Sequence, residues 1–267
     1  MIENNKINCT VEILTRNSAA TLERCLQSVK DFAETIVLDG NSTDSTLEIA
    51  KRYGCRIVRQ YDTDEPSVAI KDYSEVRNKG LRLAAYGWFM FIDSDEYLSE
   101  EAVEEIRSIV TGPNPKAYIW WQPRKYVLDG KIIECASTYP NQQIRLFHKK
   151  WVKEFIKPIH ERIEIRSGAS ISTLENYEYV PLGALAELKI RWKHYIEKEI
   201  AMNTGRSHGT LLRLSLRSFL LFGLYFLRYV RNLFACRGAR MPLSYEFARH
   251  SYLLEQAVRL LGRSFLF

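Results

Sequence analysis

The chain has 267 residues, 46% hydrophobic and 26% charged, enough for one large domain or one domain with a helical appendage. Its mean hydropathy of -0.24 fits a soluble globular protein and argues against a disordered or mostly membrane-embedded chain. The formal net charge of +6 comes mainly from residues after 180. A local basic region of that kind can attract phosphate or an anionic membrane. No RNP, zinc-finger or helix-turn-helix pattern favours nucleic acid.

In chain order, residues 7–14 read as a buried strand. Residues 19–30 carry Leu22, Cys25, Leu26 and Val29 at helical spacing, and 35–38 form a short strand. Ser42, Thr43 and Asp44 offer cap oxygens to a helix that runs to Tyr53 and stops at Gly54. A strand over 55–58, an acidic loop over 62–66, a helix over 68–85 and a strand over 88–92 follow. Alternating strands and helices imply a parallel sheet, and ligands of such sheets sit beyond the carboxyl ends of the strands. Thr15, Arg16, Asn17, Asp39, Asp93, Ser94 and Asp95 all follow strand ends, so they are expected at one rim.

From 116 to 166 short strands are expected over 117–121, 125–128, 131–134, 143–147 and 159–165. Asp129-Gly130 is a two-residue hairpin turn. After 180 the pattern is helical, with breaks near 205–209 and 237–242. The five cysteines are odd in number and widely spaced, without a CxxC pair. They read as reduced thiols in a cytosolic protein, and zinc is not expected. The polar residues 1–6 do not resemble a signal peptide. The longest apolar run, 219–227, is far shorter than the ~20 residues a spanning helix needs.

Three segments carry chemistry. Residues 36–46 place the Asp39 carboxylate after a strand and before a polar capped turn, where it can accept from a uracil N–H or ribose hydroxyls. Asp93-Ser94-Asp95-Glu96 sets two aspartates one residue apart past a buried strand, a pattern suited to Mg2+ or Mn2+ bridging phosphates. Arg145 can face phosphate or a carboxylate, and His160 beside Glu161 pairs a possible metal ligand with a possible base.

Taken in order, Val11 to Asn17, Leu22 to Leu26, Asp39 to Thr46, Arg77-Asn78 and Asp93 to Glu96 resemble inverting glycosyltransferase family two. Arg145-Leu146-Phe147 and His160-Glu161 resemble its lipopolysaccharide-core β-glucosyltransferase subgroup. The resemblance implies an α/β GT-A fold: a Rossmann-like, nucleotide-binding mixed sheet flanked by helices, with a C-terminal helical extension. It further implies a catalytic domain over 1–180, with a nucleotide-sugar half to 98 and an acceptor half beyond, and a helical region over 181–267. Thr15, Arg16, Asn17, Asp39, Arg77, Asp93, Ser94 and Arg145 would bind the donor. Asp93, Asp95 and His160 would hold a divalent metal, and Glu161 would be the base. The expected donor is a UDP-hexose, and the expected acceptor is a cell-envelope glycan or lipid-linked oligosaccharide at the cytoplasmic face of the plasma membrane. A protein or peptide acceptor, or a non-catalytic nucleotide-sugar-binding scaffold, is the competing expectation. The chain departs from the family in having Gly40-Asn41 where Ser-Gly is usual and Ser45 where Gly is common. It also has the stretch 176–180 where relatives carry a further histidine.

Arg206, Arg213, Arg217, Arg228 and Arg231 fall within an arc of ~60° on one continuous helix, beside a broad apolar surface. Such a stripe suits a helix lying on an anionic membrane.

Overall fold

The computed structural model describes residues 6–158, 161–203 and 205–264, and the chain divides into two compact units. The first comprises residues 1–125 and 141–180; the second comprises 126–140 and 181–267.

The first unit is built on β1 (Ile7–Thr15). Eight of its nine residues are buried, the continuous pattern of a strand covered on both faces. The helix α1 (Ala19–Ser28) buries Leu22, Cys25 and Leu26. Next come β2 (Phe32–Asp39), α2 (Thr46–Arg52), β3 (Arg56–Arg59), α3 (Tyr73–Leu83) and β4 (Trp88–Asp93). The strands β3, β2, β1 and β4 lie side by side and parallel. The helix α3 is shorter than expected. Residues 67 and 68 instead hydrogen-bond the Asn41 and Gly40 carbonyls, and Asp72 caps α3 by accepting from Glu75 N at 3.1 Å.

After β5 (Tyr97–Leu98) comes α4 (Glu100–Thr111), which the sequence reading did not anticipate; Ser99 caps it by accepting from Ala102 N. The expected strands 117–121 and 125–128 are one strand, β6 (Ile119–Leu128), whose last residues belong to the second unit with β7 (Lys131–Ile132). The strand β8 (Gln142–His148) runs antiparallel between β4 and β6. It makes the sheet mixed. The antiparallel pair β9 (Val152–Ile156) and β10 (Arg162–Ile165) follows. Last come β11 (Ile171–Thr173), parallel to β6, and β12 (Glu178–Pro181), antiparallel to β5. One sheet face packs Val11, Ile13, Met90 and Ile92 against α1 and Ile106 of α4. The other packs Phe89 and Phe91 against Phe147 and Phe155.

In the second unit, Asp129 and Gly130 take φ of 49° and 74°, and the turn joins Leu128 to Lys131 as expected. The helices are α5 (Leu185–Met202), α6 (His208–Ala235) and α7 (Leu243–Ser264). Three expectations change here. Cys135 and Cys236 form a disulfide, whereas all five cysteines were expected to be reduced. The reason is local pairing: Glu134 N donates to Ala239 O and Met241 N to Cys135 O, which brings the cysteine Cα atoms within 6.2 Å. Cys9, Cys25 and Cys55 are free thiols. Arg206 precedes α6 rather than lying on it. Finally, α6 is long and apolar enough to cross a bilayer by length and composition, with a mean hydropathy of 1.4 over 18 residues. Counting only uninterrupted apolar residues concealed this, because isolated polar residues break the run without removing the average.

Candidate active site

The parallel strands deliver their carboxyl ends to one rim. Thr15 pairs in register with Asp39, and Leu14 with Asp93. Asp39 is 3% exposed. It accepts from Thr15 Oγ1 at 2.8 Å, Ser42 N at 2.7 Å and Ser42 Oγ at 2.6 Å. Asn17, at φ 50°, receives Thr43 N on its Oδ1 at 2.8 Å and donates to Ser67 Oγ at 3.1 Å. Arg16 is exposed beside it. A cavity of about 380 Å³ opens here, lined among others by Asp39, Asn41, Ser42, Arg59 and Asp64.

The departure at Gly40-Asn41 has a steric cause. A Cβ at position 40 would lie 2.6 Å from the Val68 carbonyl oxygen. Asn41 takes the positive φ of 55° and donates to the Thr63 and Glu65 carbonyls. Asparagine tolerates that conformation, so the loop keeps its turn with the glycine moved one place earlier.

Next to this cavity wall in the sheet, Asp93 closes β4. Its Oδ1 receives Arg77 Nη2 at 2.7 Å and its Oδ2 receives Arg145 Nη2 at 3.0 Å. Its side chain remains 44% exposed. Burial alone would raise its pKa, but Arg145 and Arg77 outweigh that and hold the carboxyl well below the usual range. Both arginines are 1% exposed and stack over the Phe91 ring. They therefore act from beneath the rim, through Asp93, instead of opening to solvent.

Arg77 also meets Glu12 Oε2 at 3.1 Å and, through Nε, Glu161 Oε1 at 3.6 Å. One guanidinium thus joins Glu12, Asp93 and Glu161. Glu161 is 14% exposed; His160 lies outside the described residues. Glu12 is fully buried on β1, and burial, partly offset by Arg77, pushes its pKa up to about 8. A Cβ at Gly80 would come within 2.1 Å of Glu12 Oε1, so α3 needs glycine there. On the other side, Arg145 pairs with Glu96 and with Glu178 at 3.3 Å, and Arg124 pairs with the same two carboxylates. Burial is the main cause that raises the Glu96 pKa, against the pull of Arg145. Glu12, Arg124 and Glu178 were not singled out from sequence. Glu12 in a strand with buried neighbours on both sides was the available signal, since an unpaired charge there is costly.

Ser94 Oγ donates to Ser18 Oγ at 3.0 Å, and Asp95 is half-buried in the same turn. Among the described residues no group of three or more His, Cys, Asp or Glu side chains could hold a metal ion. Two carboxylates completed by phosphate oxygens nevertheless fit the usual mode for Mg2+. Both Asp93 oxygens already accept from arginine.

Residues 10–127 match the family model for glycosyl transferase family 2. The family 2 match takes in Thr15, Asp39, Arg77, Asp93 and Asp95, and stops short of Arg145 and Glu161. An uncharacterized glycosyltransferase of Rickettsia bellii is 33% identical over 141 residues, 52% of this chain and 45% of that protein. The SPbeta prophage-derived glycosyltransferase SunS of Bacillus subtilis is 37% identical over 107 residues, 38% of this chain and 23% of that protein. The chain thus spans about half the length of the Rickettsia relative or less. Among solved structures, S. aureus TarS 1-349 in complex with UDP is similar with a TM-score of 0.49 and 16% identity, over 95% of this chain and 90% of that one.

Proposed function

We propose that the chain is an inverting, metal-dependent glycosyltransferase that moves a hexose from a UDP-sugar to a hydroxyl of a cell-envelope glycan or lipid-linked oligosaccharide. The observation that carries the reading is the Arg77 bridge. It holds a carboxylate of the Asp93–Asp95 turn and the Glu161 carboxylate against one guanidinium, at 2.7 and 3.6 Å. Asp39 sits two strands away on the same rim.

In this reading Asp39, which lines the cavity, and the Thr15–Asn17 loop hold the nucleoside through its base or ribose. A divalent ion, Mn2+ or Mg2+, held by Asp95 and the open side of Asp93 with His160 as a further ligand, would neutralise the departing diphosphate. Arg77 and Arg145 fix the orientation of Asp93. Glu161 takes the proton from the acceptor hydroxyl as that oxygen attacks the anomeric carbon in line. One displacement inverts configuration without a covalent enzyme intermediate.

The envelope acceptor, and with it the lipopolysaccharide-core type of relative, rests on the Arg145-Leu146-Phe147 and His160-Glu161 motifs. The cytoplasmic, membrane-facing location is proposed from that acceptor alone, since the Cys135–Cys236 disulfide removes the argument from reduced cysteines. A donor screen tests the reading. With Mn2+ and no acceptor, slow nucleotide release is expected from UDP-glucose or a related UDP-hexose. Preferential release from GDP- or dTDP-sugars would overturn the donor assignment, and release from none would overturn the activity.

A further inference from the structure

The second unit distributes its side chains in an unusual way. A water-soluble helix buries its apolar face and exposes its polar one. In α6 the buried positions are Leu211, Ser215, Ser218 and Asn232. Three of these four are polar. They are satisfied internally: Ser215 Oγ donates to Ala257 O at 2.8 Å, and Ser218 Oγ to Gln256 Oε1 at 3.2 Å, both on α7. The outward positions are apolar. Leu212, Leu216, Leu220, Leu227 and Phe234 are 53–87% exposed. At 100° per residue they share an arc of ~80°. The helix α7 does the same with Leu243, Phe247, Leu254 and Val258, which are 40–70% exposed and share an arc of ~60°. Only 17% of the most apolar window of α6 is buried, so its hydropathy is not that of a core helix.

The charge on α6 points to what covers this face. The helix has four arginines and no acidic residue. Arg213, Arg217, Arg228 and Arg231 occupy an arc of ~60° that adjoins the exposed leucines and lies away from the buried face. A second copy of the chain docked about a two-fold axis would set these arginines against their own copies, with no carboxylate on α6 to meet them. An anionic lipid surface meets both stripes at once, with phosphates for the arginines and acyl chains for the leucines.

Helix geometry decides how the helix would sit. Arg217 and Arg228 are 11 residues apart. That is about 16 Å along the axis, roughly half the hydrocarbon thickness. A spanning pose would draw charge into the hydrocarbon. Lying flat, the helix leaves every arginine at headgroup level.

We propose that α6 and α7 form a two-helix face that lies flat in one leaflet of an anionic phospholipid membrane. This deepens the membrane-side acceptor proposed above and rests on it only for its biological use, because vesicle binding requires no catalysis. The test is co-sedimentation of the full chain with phosphatidylcholine vesicles, with and without phosphatidylglycerol. Binding is expected only with phosphatidylglycerol, weakening as salt rises and released by an alkaline carbonate wash. Changing Arg213, Arg217, Arg228 and Arg231 to Gln should weaken it by roughly 100-fold or more. Leu216→Glu with Leu220→Glu and Leu227→Glu should abolish it while circular dichroism and the melting temperature stay unchanged. UDP binding, measured separately, should be the same in every variant, so failure here and failure of the donor site are told apart. No binding to anionic vesicles, equal binding to neutral ones, retention after carbonate, or a wild-type dimer that the Glu variants dissociate would each overturn the proposal.

Discussion

Replacing Glu161 by Gln is expected to leave UDP and metal affinity in place while sugar transfer falls roughly 10²–10⁴-fold, the usual scale for losing a general base. The amide keeps the size and the contact with Arg77 and removes the basicity. Glu161 is favoured over Glu96 because Glu96 is 3% exposed and held by Arg124 and Arg145, so no acceptor hydroxyl can approach it. Among the described residues, Glu161 meets the guanidinium that also holds Asp93, at 3.6 Å. Initial rates with saturating donor, beside calorimetric UDP affinity, separate a lost base from a lost binding site. Near wild-type transfer by Glu161→Gln would assign the base elsewhere.

Arg145→Ala is expected to cost about 3–5 kcal/mol of stability and to abolish transfer as well, because it strips the partner from buried carboxylates. Arg145 meets Asp93, Glu96 and Glu178 at once, and among the described residues the Glu178 oxygens have ion pairs with Arg124 and Arg145 but no hydrogen bond. Lysine should not rescue the variant, since one ammonium cannot meet three carboxylates with the reach of a planar guanidinium. The loss should shrink as pH falls. A carboxyl whose folded pKa is raised binds protons more readily folded than unfolded, so its contribution is most favourable at low pH and declines as pH rises. Glu12, raised from an ordinary value of 4.5 to about 8, already gives the wild type this slope over that interval. Urea unfolding at pH 6 and pH 8.5 checks both statements. A stability of Arg145→Ala equal to wild type at pH 8.5 would show that the cluster is not held by charge.

The elements of the first hundred residues were legible because buried parallel strands and amphipathic helices differ in period. Thr15, Asp39 and Asp93 could be assigned to one rim from strand ends alone. What lay beneath that rim was not legible. Arg77 and Arg145 were expected to face the donor, yet each is 1% exposed and engaged with carboxylates from distant strands. Arg77 and Glu12 are 65 residues apart and Arg145 and Glu96 are 49 apart, separations that leave no local spacing to read. The helix α4 carried its own signals, Ser99 as the cap, Glu100 and Glu101 in the first turn and Gly112-Pro113 at the end, and was passed over. The strand β9 has two exposed charged residues, Lys153 and Glu154, side by side, which breaks the alternation that marks a strand. The Cys135–Cys236 bond joins residues 101 apart, and an odd cysteine count gives no hint of which two meet. The arginine stripe on α6 was legible from periodicity, but which apolar residues flank it outward depends on the packing of α7.

The donor site itself is tested most directly by titrating UDP into the protein by calorimetry, with Mn2+ and then with a chelator, in the wild type and in Asp95→Ala. Binding in Mn2+ is expected, weaker by more than roughly tenfold, or about 1.4 kcal/mol, both in chelator and in Asp95→Ala at unchanged melting temperature. UDP affinity that is the same with and without metal, or full turnover by a variant with both Asp93 and Asp95 changed to Ala, would contradict the metal-assisted site at the end of β4.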